Sequence, residues 1–531
     1  MKIFVLGLDG ATFDVLTPLM EDGLIPNIKK LCSSGAYGPM RTIIPPVTAP
    51  AWLAMATGLN PGKTGVFDYI NKADAESHSF KPISSSYYEK RAFWNSLNEA
   101  GLKVGIFNYP TLSPPPQING FVVSGMGGKK GNMCFPDDME PELDKLTNGY
   151  ESRLNLRNPK YEKNLAMFFD DVNRIITKQE IALKHLIKTR EWDFFFAVFS
   201  FTDWIGHVLW KDIDVNHPMY DSKKSPNIKM KFNEIWQRTD SIIGDLLSSL
   251  TKDTNFMVVS DHGMGPLESV FFPNTWLENK GWLKKKKLGW KRPLVGNIKL
   301  FSEGSDNKYY NTFIHLLKTK ILKIHGTLDL IDFENSLAYS PEHNTMFGCI
   351  NLTPKGKSRK GFREELHKEL ESLPHSIEGI TDIKIYLPQE IYSGPSVSLS
   401  PDILFIINDH KSTVEIDLPR EMFLATPSIK MRTGGHKMDG IFIAKGDTFK
   451  NIAIKDVSIL DIAPTITALY NLEVPTEIDG KVLIECIRTE VLKSMDIRFR
   501  KDEQLSDSRH QAMEDQDLED MKSMLKSLGY M

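Results

Sequence analysis

Short apolar runs alternate with longer amphipathic stretches along the first half of the chain. Lys2–Leu8 is almost wholly apolar and ends at Asp9-Gly10, a pattern typical of a strand buried on both faces of a parallel sheet. Similar runs predict strands at Lys103–Phe107, Asp193–Phe201 and Asn255–Val259. Apolar residues at helical spacing predict helices at Pro26–Ser34, Phe93–Glu99, Tyr161–Arg190 and Phe232–Leu250. The alternation predicts an α/β fold, a three-layer α/β/α sandwich with a central, mostly parallel sheet and right-handed crossovers.

The pattern changes after residue 266. Over 267–432 the periodicity is patchy, with a basic run at Lys284–Lys287 and a linker-like segment at Phe301–Lys308, and this stretch is interpreted as an inserted cap. We expect a core domain over 1–266, its last part over 433–490, and a helical tail over 491–531. Apolar runs at Ile403–Ile407 and Gly440–Ala444 predict strands that return to the core.

Composition limits the classes of function. Lys and Arg number 65 against 68 acidic residues, so the net charge of −3 does not favour binding to a nucleic-acid polymer. The four cysteines form no CxxC pair, which argues against a zinc ribbon, a redox motif or a disulfide framework. The apolar runs are shorter than the ~18 residues of a membrane span. Because the first run leads into Asp9-Gly10, a candidate ligand, and not into a cleavage site, we expect a cytoplasmic protein.

Seven side chains suited to metal binding or nucleophilic attack lie in segments predicted at strand ends or turns. They are Asp9, Thr48, Asp203, His207, Asp261, His262 and His436. Open α/β sheets collect their ligands at the carboxyl ends of strands, and carboxylates with imidazoles are ligands of borderline divalent metals. Thr48 lies in a proline-framed turn before a short helical segment, where a helix dipole stabilises an alkoxide. The pattern predicts a two-metal hydrolase with a threonine nucleophile.

The segments that carry these residues resemble the alkaline phosphatase superfamily, and within it the type I phosphodiesterase and nucleotide pyrophosphatase group. The resemblance covers Leu6–Asp68, Phe201–His207, Ser260–Gly263 and Gly434–Gly440. It implies an alkaline-phosphatase-like fold and a phosphothreonine intermediate on Thr48. It also implies two divalent metal ions, usually zinc, with manganese as an option. One ion would be held by Asp203, His207 and His436, and the other by Asp9, Thr48, Asp261 and His262.

Departures from the family pattern affect the predicted substrate contacts. The sulfatase branch has Cys or Ser in a C/S-x-P-x-R turn, whereas this chain has Thr48-Ala49-Pro50-Ala51-Trp52, so formylglycine chemistry is excluded. The asparagine that helps to bind a phosphoryl oxygen in nucleotide pyrophosphatases is missing after Gly65-Val66-Phe67-Asp68. Oxyanion binding would then fall to Asn71, Tyr69 or Lys63. Trp52 and Trp204 are aromatic candidates for a substrate wall.

The residues leave several activities open. A phosphodiesterase or nucleotide pyrophosphatase acting on a small phosphorylated substrate is favoured. A phosphotransferase or phosphomutase would use the same site, but the related mutases use serine, which speaks against it. A phosphomonoesterase would need a cationic clamp, which no arginine near the motifs clearly supplies. An intact ligand set and nucleophile argue against a scaffold in which metals only brace the fold.

Overall fold

The computed structural model describes residues 1–72, 80–156, 158–286, 327–427 and 431–502, together with Ser523. These residues form two compact units. Unit 1 comprises Met1–Glu268, Pro388–Ser400 and Thr426–Met531, and unit 2 comprises Ser269–Leu387 and Pro401–Ala425. The stretch interpreted as one inserted cap is therefore divided, because residues 388–400 belong to unit 1. The predicted linker at Phe301–Lys308, the end of the basic run at Lys287 and most of the predicted tail lie outside the described residues.

Strands in the described chain are numbered in sequence order. They are β1 Lys2–Leu8, β2 Ala36–Arg41, β3 Ile70–Lys72, β4 Phe80–Pro82, β5 Val104–Tyr109, β6 Gly120–Ser124, β7 Cys134–Phe135, β8 Phe194–Phe199, β9 Thr254–Val259, β10 Gly263–Pro266, β11 Ser269–Phe271, β12 Ala338–Tyr339, β13 Gly348–Leu352, β14 Ile383–Tyr386, β15 Ile403–Ile407, β16 Ser412–Val414, β17 Phe423–Leu424, β18 Gly434–Lys437, β19 Asp439–Lys445, β20 Ile452–Ala453, β21 Val457–Ser458, β22 Val474–Pro475 and β23 Phe499–Arg500.

Helices are numbered in the same way. They are α1 Phe13–Glu21, α2 Pro26–Ser34, α3 Thr48–Thr57, α4 Pro61–Thr64, α5 Phe93–Glu99, α6 Met139–Thr147, α7 Lys160–Lys163, α8 Leu165–Thr189, α9 Phe201–Ile213, α10 Ser225–Ser249, α11 Pro273–Asn279, α12 Pro354–Ser358, α13 Phe362–Glu371, α14 Leu373–Ser376, α15 Pro388–Ile391, α16 Ile462–Leu469 and α17 Thr489–Ser494. None of these helices has both the length and the hydropathy that crossing a membrane requires. Of the predicted helical tail, the described beginning is helical as far as Ser494, where α17 ends, and the two-residue strand β23 follows.

The large sheet of unit 1 has ten strands. Its order is β20-β2-β19-β9-β1-β8-β5-β6-β7, and β21 also pairs with β2. The central run from β9 through β1, β8 and β5 to β6 is parallel, whereas β19 is antiparallel to both of its neighbours. The mostly parallel sheet confirms the predicted fold class. The apolar run Gly440–Ala444 forms part of β19, which lies within this sheet as predicted.

Helices cover both faces of the large sheet. Phe4, Leu6 and Leu8 of β1 belong to one buried cluster with apolar residues of α1, α2, α8 and α10. The alternate residues point to the opposite face, since side-chain direction reverses at each position of a strand. There a Cβ atom at Gly7 would lie 2.5 Å from the indole ring of Trp52 in α3. The arrangement confirms the predicted three-layer sandwich.

Unit 2 is built around two small sheets. One has the strand order β12-β13-β15-β14 and the other has the order β16-β11-β17. The prediction that Ile403–Ile407 returns to the core sheet was wrong, because this run is β15 and pairs antiparallel with β13 and β14. A uniformly apolar run shows that both faces of a strand are buried, but it does not show which sheet buries them.

Candidate active site

The carboxyl ends of three neighbouring parallel strands bring the acidic candidates together. Asp9 directly follows β1, Asp203 lies in the first turn of α9 after β8, and Asp261 follows β9. In the sheet β1 lies between β8 and β9, so the three strand ends meet at one edge. The Thr202 hydroxyl donates to the backbone carbonyl of Asp9 at 2.6 Å and so fixes the start of α9 against the end of β1.

A first group of ligand atoms converges around Asp203. Asp203 and His207 are four residues apart on α9, a spacing that puts both side chains on one face of the helix. Oδ1 of Asp203 lies 3.1 Å from Nε2 of His207 and 3.4 Å from Nε2 of His436. The two histidine Nε2 atoms are 3.1 Å apart. These are the three side chains predicted for one metal, and the structure brings them together.

A second group surrounds Nε2 of His262. This atom lies 3.4 Å from Oδ2 of Asp261, 3.6 Å from Oδ1 of Asp9 and 3.2 Å from Oγ1 of Thr48. His262 also contacts the first group, because its ring stacks on that of His436 with 3.6 Å between the centroids. Ligand atoms of His262 therefore lie close to both groups, and all seven predicted residues form one buried cluster.

Backbone carbonyls orient the three imidazoles. Nδ1 of His207 lies 2.7 Å from the Gly434 carbonyl oxygen, and Nδ1 of His262 lies 3.0 Å from that of Gly263. Nδ1 of His436 lies 2.7 Å from the Pro46 carbonyl oxygen. A carbonyl oxygen only accepts, so each Nδ1 carries a proton and each Nε2 is the ring nitrogen that faces the cluster. Metal-binding histidines show the same arrangement.

Burial and charge shift the pKa values of the cluster. Burial, followed by the neighbouring carboxylates, raises the pKa of Asp9 and of Asp261 well above the ordinary value. At Asp203 burial would also raise the pKa, but the adjacent imidazoles hold it well below the ordinary range. Burial lowers the pKa of His436 to about 4 and that of His262 well below its usual range. Both imidazoles are thus neutral near pH 7, the state that binds metal.

The donor set fits divalent cations. Asp9, Asp261 and His262 have ligand atoms within 4.8 Å of one another, and so do Asp203, His262 and His436. Within the described part of the chain, the buried Oδ1 of Asp9 and Oδ2 of Asp261 have no hydrogen-bond partner. Buried carboxylate oxygens are stable when they are paired or bind metal. Imidazole nitrogens and carboxylate oxygens together suit borderline divalent ions.

Of the predicted substrate contacts, Tyr69 is the one that lies against the nucleophile. Its hydroxyl contacts the Thr48 side chain and is close to the carboxylates of Asp9, Asp203 and Asp261. Burial, reinforced by these carboxylates, raises the pKa of Tyr69 well above its usual value. Its hydroxyl therefore keeps its proton at neutral pH and can act as a hydrogen-bond donor.

Lys63 and Asn71 are engaged elsewhere. Nζ of Lys63 lies 2.6 Å from a carboxylate oxygen of Asp479 and 2.6 Å from the carbonyl oxygen of Glu477. The Asn71 amide bonds the backbone of the turn that precedes it, at Phe67 and Asp68. These contacts argue against the oxyanion roles predicted for Lys63 and Asn71.

Trp52 and Trp204 lie in the interior. The indole of Trp52 is fully buried, and its ring packs edge-on against Tyr109 and Phe196. Trp204 is buried in the apolar cluster on the other face of the sheet. Both positions favour packing roles over the predicted substrate wall, because a sequence motif places an aromatic residue near a ligand without fixing the direction of its side chain.

The sequence did not reveal the backbone acceptors that orient the histidines. The Pro46 carbonyl belongs to a segment 390 residues from His436, and no local pattern signals that pairing. The sequence also did not reveal why a glycine stands at position 434, and the structure gives close approach as the reason. A Cβ atom at Gly434 would lie 2.2 Å from the carbonyl oxygen of Gly206 in α9. Close approach of this kind appears only when both segments are folded.

Comparison with known proteins places this site in a family context. The family model described as type I phosphodiesterase / nucleotide pyrophosphatase matches residues 3–410. No curated protein matches the sequence of the chain. Among solved structures, human ectonucleotide pyrophosphatase / phosphodiesterase 5 is similar, with 11% identity and a TM-score of 0.50, covering 92% of this chain and 100% of that chain. This likeness shows a shared fold.

Two further similar structures are of the murine ectonucleotide pyrophosphatase / phosphodiesterase 5. One of them is an inactive variant in complex with AMP. Each has 12% identity and a TM-score of 0.49, and each covers 92% of this chain and 100% of its own.

Proposed function

Because the chain belongs to the type I phosphodiesterase / nucleotide pyrophosphatase family, we propose that it hydrolyses small phosphodiesters or nucleotide pyrophosphates with Thr48 as the nucleophile. The broader class, a hydrolase acting on phosphoester or pyrophosphate bonds, follows from membership of the family. One observation carries the finer proposal. Oγ1 of Thr48 lies 3.2 Å from Nε2 of His262 inside the buried cluster of carboxylates and imidazoles.

Two divalent cations are part of the proposal. Asp203, His207 and His436 would hold one, and Asp9, Asp261, His262 and Thr48 would hold the other. Zinc suits this mixture of nitrogen and oxygen ligands, and manganese is the alternative. Bound cations supply charge neutralisation at the phosphoryl oxygens and favour ionisation of a coordinated hydroxyl.

The chain's own residues then prepare the attack. Thr48 is the first residue of α3, and its hydroxyl oxygen therefore lies at the positive end of the helix dipole, which stabilises negative charge on that oxygen. In the first step the Thr48 Oγ1 to phosphorus bond forms, the bond from phosphorus to the leaving oxygen breaks, and the proton lost by Thr48 is balanced by one gained by the leaving group. A water molecule then cleaves the phosphothreonine. The hydroxyl group of the water bonds to phosphorus, the bond from phosphorus to Oγ1 of Thr48 breaks, and the remaining proton of the water goes to that Oγ1.

The proposal is tested with Thr48→Ala and two aryl phosphates. We expect the wild type, at measured metal content, to hydrolyse bis-p-nitrophenyl phosphate faster than p-nitrophenyl phosphate. Thr48→Ala should lower turnover at least about 1,000-fold, because the covalent step is lost. Its metal content should stay close to that of the wild type, since the other ligands are unchanged.

A matched control comes from the other end of the same helix. Thr57 is also fully buried in α3, and its hydroxyl donates to the carbonyl of Leu53 at 2.8 Å. Thr57→Ala should retain wild-type turnover within a few fold. Full activity of Thr48→Ala would refute the covalent route, and faster cleavage of the monoester would refute the diesterase assignment.

A further inference from the structure

The segment 388–400, here called the strap, belongs to unit 1, although the residues on either side of it along the chain belong to unit 2. The strap packs against α4. A Cβ atom at Gly62 of α4 would lie 2.7 Å from the carbonyl oxygen of Ser393, so the two backbones lie as close together as a glycine allows. The Asn60 side chain joins the same two segments, because its Nδ2 donates to Oγ of Ser393 at 3.0 Å and its Oδ1 accepts from the Ser393 N–H at 3.3 Å. The backbone next to Tyr392 is therefore fixed within unit 1.

The Tyr392 side chain extends from the strap to the turn that precedes the nucleophile. Its hydroxyl donates to the Ile44 carbonyl at 2.7 Å, the usual length of an O–H···O hydrogen bond. The side chain is 7% exposed, and its ring packs edge-on against Phe67 with 5.2 Å between the centroids. A buried ring with a fixed backbone has few rotamers, so the hydroxyl holds one carbonyl of the turn in place.

The turn between that carbonyl and the nucleophile is stiff. Three residues, two of them prolines, separate Ile44 from Thr48. The rings of Pro45 and Pro46 fix φ at both positions, and the Val47 N–H donates to the Pro45 carbonyl at 2.8 Å. A restraint on the Ile44 carbonyl therefore also limits where Thr48 can lie.

Two side chains hold this turn by its carbonyls. Nδ1 of His436 lies 2.7 Å from the Pro46 carbonyl oxygen, so one anchor is a candidate metal ligand. Tyr392 is the second anchor, and it comes from a segment that carries none of the seven candidate site residues. Nucleophilic attack depends on this placement, because a misplacement of about 1 Å can slow a reaction about 100-fold.

We propose that Tyr392 is a positioning residue for the nucleophile. By holding the Ile44 carbonyl, its hydroxyl fixes the turn from which Thr48 enters α3 and so directs Oγ1 of Thr48 at the phosphorus atom. The inference rests on the proposed function, in which Thr48 attacks phosphorus, and it gives the strap a part in that function. In this role Tyr392 acts through Thr48 and takes no part in metal binding.

Hydrogen exchange of the metal-loaded, full-length chain tests whether Tyr392 holds the turn. Tyr392→Phe removes one oxygen atom and keeps the ring. We expect exchange about 2- to 10-fold faster, measured by mass spectrometry, in peptides covering Val47–Ala51, the range for one lost hydrogen bond. Tyr470→Phe is the matched control, because the Tyr470 hydroxyl donates to the Asp193 carbonyl at 2.8 Å, just before β8 begins and away from its carboxyl end. The control should leave exchange in these peptides at the wild-type rate.

Hydrolysis of bis-p-nitrophenyl phosphate tests the consequence for catalysis. Tyr392→Phe should lower kcat about 10- to 100-fold, because a misplaced nucleophile slows the covalent step. Its KM and metal content should stay close to those of the wild type, since the ligand set is unchanged. Tyr470→Phe should keep the wild-type kcat, and both variants should show a similar, small decrease in melting temperature, because each loses one bond from a hydroxyl to a carbonyl.

The outcomes separate this inference from the proposed function. A wild-type kcat in Tyr392→Phe overturns the inference, even if Thr48→Ala proves inactive. A wild-type protein that hydrolyses neither ester overturns the proposed function, and exchange in Val47–Ala51 then still decides whether Tyr392 holds the turn. Reduced metal content in Tyr392→Phe, or a melting temperature far below that of Tyr470→Phe, would also overturn the inference, because the hydroxyl would then support the fold or the ligands and not the direction of Oγ1.

Discussion

At the scale of single residues, His262 is notable because it lies close to both groups of ligand atoms. Its Nε2 atom lies near Asp9, Asp261 and Thr48, and its ring stacks on His436. The family resemblance implied that His262 holds one metal together with Asp9, Thr48 and Asp261. In the structure, its candidate ligand atom also lies within 4.8 Å of those of Asp203 and His436. The residue types could be predicted from strand-end motifs, but the sharing of one imidazole between two groups depends on distances that no motif encodes.

A different buried histidine makes stability depend on pH. Burial lowers the pKa of His343 from 6.5 to about 4, with its Nε2 3.1 Å from the Ser340 hydroxyl and its Nδ1 2.7 Å from the Asn344 carbonyl. The unfolded chain takes up a proton below about pH 6.5 and the folded chain only near pH 4. Stability should therefore fall by up to about 3 kcal/mol between these limits.

Urea unfolding from pH 7 to pH 4 measures this loss. His343→Gln removes the titrating group, so its free energy of unfolding should fall less steeply over the same interval. A variant whose pH profile runs parallel to that of the wild type would contradict the assignment to His343.

At the scale of elements, the site depends on a pair of short strands. β10 begins directly after His262, and β18 carries His436, with His436 opposite Met264 in the antiparallel pair. The parallel strands that deliver Asp9, Asp203 and Asp261 could be predicted from apolar runs. The β10–β18 pair could not, because it joins four-residue strands that are more than 160 residues apart, and neither has a marked apolar pattern.

Substitution of Gly434 tests whether β18 must pack closely against α9. A Cβ atom there would lie 2.2 Å from the Gly206 carbonyl oxygen, and a backbone atom cannot rotate away. Gly434→Ala should therefore cost about 1–3 kcal/mol of stability and weaken metal binding by displacing His436. Gly435→Ala is the comparison, since the nearest neighbours of its Cβ atom would be side-chain atoms of Leu267, the closest at 2.6 Å, and not a backbone carbonyl. Urea unfolding and metal titration compare the two, and equal losses would exclude a backbone clash as the cause.

At the scale of the molecule, all seven predicted site residues belong to unit 1. They come from segments spread over more than 400 positions of the sequence, so bound metal would connect parts of unit 1 that are far apart along the chain. The family model ends at residue 410, and His436 lies beyond it, yet its Nε2 atom lies 3.1 Å from that of His207. The fold class could be predicted from the sequence, and so could the seven residues that the structure brings together in one buried cluster. The division into units could not, because residues 388–400 return to unit 1 within the stretch interpreted as a cap.

Removal of metal should destabilise unit 1 and leave unit 2 almost unchanged. A ligand that binds the folded state alone stabilises it by mass action, so chelation should lower the melting temperature and added zinc or manganese should restore it. Hydrogen exchange measured by mass spectrometry should show the loss of protection around β1, β9 and α9 in unit 1, with little change in β13 and β15 of unit 2. Equal loss in both units, or none, would contradict a metal centre confined to unit 1.

The place of β19 in the large sheet has a consequence for biosynthesis. β19 lies between β2 and β9 and pairs with both, although it is translated almost two hundred residues after β9. Until β19 has been translated, the edge of β9 that it covers and both edges of β2 have unsatisfied backbone groups, since β20 and β21, the other partners of β2, come later still. Such edges invite pairing with other chains. The large sheet of unit 1 therefore cannot be completed until this interior strand has been translated, and slow or interrupted translation would expose the polypeptide to aggregation.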